Sequence, residues 1–367
     1  MSGSRLFGVV TQLRPHFQLA HLRKQTTSIF DSSRAGSLTH GISQARQVVQ
    51  CPRMAHLFEC DSLKIICMSD THNDDCTPQI PVGDIFIHAG DMTDDGTYEE
   101  LSQAFNWISK LPHKLKVVVA GKWSSLEPNI HICRDHRCAV FDISEGNHDL
   151  GLDKSHANLS QAALDLFTSD KAQAAGIHLI DREIKIVAEY RTSSANETRP
   201  IRVYGNPMQP DFLNSSYAFT YKPYPNPSAV EAWITAPSVS GAFDIWAMHS
   251  PPRHRLDAIN VPGLTGCVEQ ARAVAKARPL LCVFGHYHYS WGLEKVQWQS
   301  TSDDVASARI LSEVGRESIF DFTETGPYGG VTRGQETIFV NAAWMTMKKS
   351  AVLQRNMPFV VILPLDK

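Results

Sequence analysis

The stretch Leu63-Lys64-Ile65-Ile66-Cys67-Met68-Ser69-Asp70-Thr71-His72 decides how the rest of the chain is read. It opens as a short apolar run rich in β-branched residues, the pattern of a strand buried on both faces. It ends in polar residues placed where an open α/β sheet presents its strand ends to a crevice. The same grammar recurs downstream: Gly90-Asp91 follows the apolar run 85–88, His249 follows 243–248, and Gly285-His286-Tyr287-His288 follows 280–284. A further block, Gly146-Asn147-His148-Asp149, has no apolar run directly before it.

Working outward, strands are also expected at 115–120, 177–180, 184–189, 201–204, 337–340 and 359–363. Helical patterns occupy 97–110, 160–175 and 267–277, the last stopped by Pro279. Strands interleaved with helices specify a layered α/β domain. Residues 191–200 and 221–227 read as surface loops on their Ser, Asn and Pro content.

A chain of 367 residues with 43% hydrophobic and 20% charged residues has material for a core, which excludes disorder, collagen and coiled coil as the main plan. A net charge of -3 supplies no basic field for coating nucleic acid. No apolar run approaches the ~18 to 20 residues of a membrane-spanning helix. Neither nucleic acid nor a membrane is therefore an expected partner. Eight cysteines, several inside strand runs, fit a reduced, cytoplasmic chain better than a disulfide scaffold. The 16 histidines are the larger anomaly.

Five of them, His72, His148, His249, His286 and His288, fall in the polar blocks. Four of these, His72, His249, His286 and His288, form with Asp70, Asp91 and Asn147 a set of seven N and O donors without a thiolate, suited to two divalent metal ions (Mn, Fe or Zn). One carboxylate can bridge two ions roughly 3.5–4 Å apart, and such a pair clamps the attacking and leaving oxygens of an in-line phosphoryl displacement. Asp91 is the natural bridge.

In this order the blocks resemble the signature of the calcineurin-like metallophosphoesterases, Asp-x-His, Gly-Asp, Gly-Asn-His-Asp, His and Gly-His-x-His, over about residues 63–364. Tyr204-Gly205-Asn206-Pro207-Met208-Gln209-Pro210, His249-Ser250-Pro251-Pro252, Gly266-Cys267 and Phe339-Val340-Asn341-Ala342 are similar to the small metallophosphoesterase-domain-containing subfamily first noted in brain. The resemblance implies a four-layer α/β/β/α sandwich with a dinuclear metal site at the carboxyl ends of its strands. It implies that Asp70, His72 and His288 hold one metal, Asn147, His249 and His286 the other, and Asp91 bridges. The catalytic residues are then His148, which faces the leaving-group oxygen, and Asp149, which orients His148 or its loop, and a metal-bridging hydroxide is the nucleophile. No Gly-x-Ser-x-Gly elbow or P-loop suggests another route.

The implied function is metal-dependent phosphoester hydrolysis, by a phosphodiesterase acting on small phosphodiesters or nucleotides. Alternatives are a protein Ser/Thr phosphatase sharing the metal core, and a nucleotide- or metal-binding protein with little turnover. Substrate choice falls to pocket walls such as the 206–212 turn and the 251–255 loop.

Two stretches depart from the pattern. Residues 1–60 are rich in Arg, Ser and Gln with only Asp31 and Glu59 as acids, and are expected to be a disordered basic tail. Residues 1–53 have the composition of a mitochondrial targeting segment, or stand upstream of an initiation at Met54. The remainder, 61–367, reads as one domain. Within it Val117-Val118-Val119-Ala120-Gly121 is separated from Asn147 by residues 122–146, where the family runs straight on. Codons for Gly121-Lys122-Trp123 can contain an intron donor and that for Glu145 an acceptor, so this insert is read as a retained in-frame intron or an active-site lid. Its Cys133, His136 and Cys138 match no strong zinc spacing. If translated, the insert loosens the tether of Asn147 and His148.

Overall fold

The runs read as strands are strands, with ends shifted by one or two residues. In chain order they are β1 (His56–Glu59), β2 (Ser62–Met68), β3 (Ile85–His88), β4 (Leu115–Val118), β5 (Ile177–Leu179), β6 (Glu183–Arg191), β7 (Arg199–Asn206) and β8 (Gln209–Pro210). There follow β9 (Thr220–Tyr221), β10 (Ile245–Met248), β11 (Leu281–Phe284), β12 (Gly292–Trp298), β13 (Val305–Glu313), β14 (Ile319–Asp321), β15 (Glu336–Asn341) and β16 (Phe359–Pro364). The helices are α1 (Tyr98–Lys110), α2 (Gln161–Thr168), α3 (Asp170–Ala174) and α4 (Val268–Ala277). This computed structural model describes residues 56–121, 148–211, 218–222, 226–227, 233, 236–237, 239–258, 266–300, 302, 305–313, 318–346 and 355–365.

Two large sheets result, in the orders β1-β6-β7-β10-β11-β15-β12-β13 and β14-β16-β2-β3-β4-β5. The runs β2-β3-β4-β5 and β7-β10-β11-β15 are parallel, so many strand ends fall on one edge of each sheet. Alternation along each strand builds the layers. Ile65, Cys67, Ile85, Ile87 and Val117 of one sheet share a core with Val203, Ile245, Ala247, Val283 and Val340 of the other. Ile66, Met68 and Phe86 face outward and meet Leu101, Phe105 and Ile108 of α1 and Phe167 of α2. On the far side Trp246, Cys282 and Phe284 meet Ala273, Val274 and Ala277 of α4. The order is helix, sheet, sheet, helix, as the resemblance implies.

Helix starts follow the capping chemistry of the sequence. Thr97 and Glu100 form a reciprocal capping box on α1, worth about 1 kcal/mol. Four expectations are corrected. The helix expected over 160–175 is two, because Ser169 adopts an extended backbone (ψ 164°) and its hydroxyl caps Ala172 N–H of α3. The loop expected at 221–227 begins with Tyr221 buried in β9, and Arg199 and Pro200 open β7 instead of closing a loop. The end of the expected tail, His56–Glu59, is strand β1, paired parallel to β6. The targeting segment, the insert 122–146 and Asn147 lie outside the described residues. Among the described residues no helix is long and apolar enough to cross a membrane.

Beyond their strands the sheets are joined at one end. Ser69 N–H donates to Ala342 O at 3.0 Å, Trp344 N–H to Ser69 O at 2.7 Å, and Ala342 N–H to Phe284 O at 2.7 Å. That seam brings the carboxyl end of β2 against those of β11 and β15.

Candidate metal centre

At the seam the polar blocks meet. Ligand atoms of Asp70, His72 and His288 lie within 4.8 Å of one another, as do those of Asp91, His249 and His286, and those of His72, Asp94 and His148. Asp70, Asp91 and His249 are fully buried, and His72, His148, His286 and His288 nearly so. The first two groups coincide, Asn147 aside, with the two sets implied by the resemblance.

The turns that deliver these groups are strained. Asp70, His72, Asp91, Asp149 and His286 all have left-handed backbones, with φ of 58°, 44°, 54°, 45° and 66°. For residues with a Cβ this costs on the order of 1 kcal/mol each and persists only where the surroundings over-determine it. Here they do: Asp70 N–H donates to Gly90 O at 2.9 Å and Thr71 N–H to Asp91 O at 2.9 Å. Close approach also requires glycine at position 285, where a Cβ would collide with the Asp70 carboxylate and the Ser69 hydroxyl.

Asp70 accepts His286 N–H at 3.0 Å and stands 3.2 Å from His288 Nε2. Burial alone would raise its carboxyl, but His288 and the other imidazoles outweigh it and hold Asp70 well below the usual range. Asp91 is different. Its nearest charged partners are imidazoles, His249 Nε2 at 3.3 Å and His72 Nε2 at 3.9 Å from one carboxylate oxygen. Burial would lower His249, yet Asp91 raises it to about 9. A fully buried carboxylate is costly unless cations meet it, and two buried carboxylates among four buried imidazoles make a donor set that fits divalent ions. His249 Nδ1 donates to Ala89 O at 2.9 Å, which fixes the tautomer and leaves Nε2 toward Asp91.

His148 Nδ1 likewise donates to Thr93 O at 2.9 Å, and its ring meets His72 edge-on at 4.5 Å. Burial lowers its pKa. Asp149 points away from the other candidates and into backbone: it accepts N–H groups of Met92 (3.2 Å), Thr93 (3.2 Å) and Gly121 (3.0 Å) and the Thr93 hydroxyl (2.8 Å). Burial, then Asp91, push its carboxyl up to about 7.

Sequence reasoning misses three participants. Asp94 is half exposed at the rim, 3.2 Å from His72 Nδ1. Asn341 donates to Tyr287 O at 3.0 Å and Leu256 O at 3.2 Å, tying the Gly-His-x-His turn to the 251–255 loop. His88 lies inside β3, beneath both the Asp70 and the Asp91 turns. The signal for Asp94 is its place three residues after Asp91; for His88 it is a lone histidine in an apolar strand, which carries little.

Known proteins share parts of this chain. A protein of Emericella nidulans named "Probable rhamnogalacturonate lyase C" is 33% identical over 242 residues, 64% of this chain and 18% of that protein. Metallophosphoesterase domain-containing protein 1 of Homo sapiens is 28% identical over 233 residues, 63% of this chain and 62% of that protein. The chain thus spans less than two thirds of the length of both. A crystal structure of a Thermus thermophilus protein aligns at 14% identity and a TM-score of 0.35, over 61% of this chain and 81% of that one. The family model described as calcineurin-like phosphoesterase matches residues 63–290, from the first strand of the seam through the Gly-His-x-His turn. The chain belongs to the calcineurin-like phosphoesterases.

Proposed function

We propose that the chain is a metal-dependent phosphoester hydrolase, and within that class a phosphodiesterase acting on small phosphodiesters or nucleotides. Its domain is residues 61–367 together with β1 (His56–Glu59), whose Phe58 joins the apolar core that both sheets share. The observation that carries the reading is that two ligand groups lie side by side at Asp91, a buried carboxylate grouped with His249 and His286 and 3.9 Å from His72 of the other group. Asp70, His72 and His288 would hold one ion and His249 and His286 the other, with Asp91 shared between them and Asn147, next to His148, completing the second set. When bound, the ions would supply Lewis-acid activation of water and of the phosphoryl group.

The chain's own residues do the rest. His148 is fixed through Nδ1, so Nε2 is the atom that exchanges a proton with the leaving-group oxygen. Burial disfavours its charged form, and an arriving anionic phosphate has the opposite effect, so the proton is held where substrate is present. Asp149, whose carboxylate bonds go to Met92, Thr93 and Gly121, is a positioning residue for this loop and not a catalytic one.

Metal analysis of the purified chain, with assays on bis-nitrophenyl phosphate and a phosphopeptide, tests the reading. The expected result is about two ions per chain and metal-dependent cleavage of the diester in preference to the phosphopeptide. Bound metal without hydrolysis of any generic phosphodiester would make the chain a binding protein, and preference for the phosphopeptide would make it a protein phosphatase.

A further inference from the structure

His88 closes β3, is fully buried, and belongs to none of the three ligand groups. Its ring packs among Phe86 and Trp107, with centroids 6.3 and 6.1 Å away, a setting that an apolar ring would fill equally well. Both nitrogens are nevertheless used. Gly90 N–H donates to Nδ1 at 3.3 Å, so Nδ1 carries no proton and Nε2–H is the donor to Thr71 Oγ1 at 3.0 Å. The Thr71 hydroxyl donates in turn to Met92 O at 3.4 Å.

One imidazole therefore spans two turns. Thr71 lies between Asp70 and His72, and Gly90 directly precedes Asp91. These turns hold three of the left-handed residues, and small rotations about their backbones would swing three carboxylate or imidazole groups apart. We propose that His88 is a positioning residue that locks the Asp70-Thr71-His72 turn to the Gly90-Asp91 turn and so sets the spacing of these side chains for divalent ions. The role rests on the reading of Asp70, His72 and Asp91 as ligands. Burial lowers the imidazole to about 3, which keeps this pattern of one acceptor and one donor across the neutral range.

The test is calorimetric titration of the metal-stripped full chain with Mn2+, for wild type, His88→Phe, His88→Gln, Thr71→Val and the double variant His88→Phe with Thr71→Val. Melting temperatures of the metal-free forms accompany it. His88→Phe is expected to weaken Mn2+ binding by about 10- to 100-fold, the range for groups that orient ligands. His88→Gln, which keeps an acceptor and a donor, recovers much of the loss. Thr71→Val weakens binding less than His88→Phe, and the double variant binds no worse than His88→Phe, because both changes cut one chain of bonds. Wild-type affinity in His88→Phe, with or without a lower melting temperature, overturns the proposal and leaves His88 as core filling. Additive losses overturn it too. Should His88→Phe not fold, wild-type affinity in Thr71→Val decides against it. A wild-type chain that takes up no Mn2+ overturns the metal centre itself and this role with it.

Discussion

The two halves of the centre are held in different ways. Asp70, His72 and Asp91 sit on turns that continue directly from β2 and β3, and the strand ladder runs on into them through Thr71 N–H to Asp91 O (2.9 Å) and Asn73 N–H to Met92 O (3.0 Å). His148 and Asp149 are tied in by other bonds among the described residues. β4 ends at Val118, Gly121 follows, and the next described residue is His148. Among the described residues a side chain bonds across that interval, the Asp149 carboxylate on Gly121 N–H at 3.0 Å, with Met92 and Thr93 as its other partners. Geometry that comes from a sheet is spread over many bonds, whereas here the bonds to Met92, Thr93 and Gly121 gather on one carboxylate, beside the His148 Nδ1 bond to Thr93 O.

The largest effect belongs to the sheet-held half. Asp91→Ala removes the carboxylate that both ligand groups face, so metal content and turnover are both expected to fall to background, read by metal analysis and diester hydrolysis. His148→Ala should separate the halves: metal content stays at the wild-type level while turnover drops by roughly 10²- to 10⁴-fold, the usual worth of a positioned acid. Metal loss in His148→Ala would break the comparison, because His148 would then act as a ligand beside His72 and Asp94. Asp149→Asn is expected to be milder. The amide turns two hydrogens toward N–H donors that the carboxylate now satisfies, costing about 1–3 kcal/mol of stability. A displacement of about 1 Å at His148 would lower turnover on the order of a hundredfold. Thermal melts and kinetics check it, and a change in the affinity of the Asp70 side would count against the separation.

The same contrast explains what is legible in the sequence. Strands such as β2 and β10 are buried on both faces, and such burial demands runs like Ile65-Ile66-Cys67-Met68 that no surface segment needs. The candidate ligands follow because an abrupt change from apolar to Asp, His and Gly marks a strand end. β12 and β13 are hard to see because they lie toward the edge of the sheet and β12 interleaves Glu294, Lys295 and Gln297 with apolar residues, a weak period-2 pattern. Glu294 is in fact buried and meets Arg255 at 3.3 Å, a pairing over long separation that no local pattern reveals. Adjacency to His148 makes Asp149 look like part of the chemistry, and adjacency cannot tell that its carboxylate turns toward Met92, Thr93 and Gly121.

The smallest effect expected is from the largest change. If the third block is held by Asp149 and not by its own connection, deleting residues 122–146 and joining Gly121 to Asn147 should leave fold and turnover standing. Gly121 N–H reaches the Asp149 carboxylate in one hydrogen bond, so the two ends to be joined lie near each other. The joined sequence, Val117-Val118-Val119-Ala120-Gly121-Asn147-His148-Asp149, carries the strand straight into the turn, and a shorter connection between the same fixed points has less closure entropy to overcome. The shortened chain should therefore melt no lower than the full one and hydrolyse the diester at least as fast. A shortened chain that melts normally but loses turnover would mean that residues 122–146 act in the reaction, as a lid does. The origin of the segment is decided separately by sequencing the mature transcript, where abundant mRNA encoding residues 122–146 would rule out a retained intron.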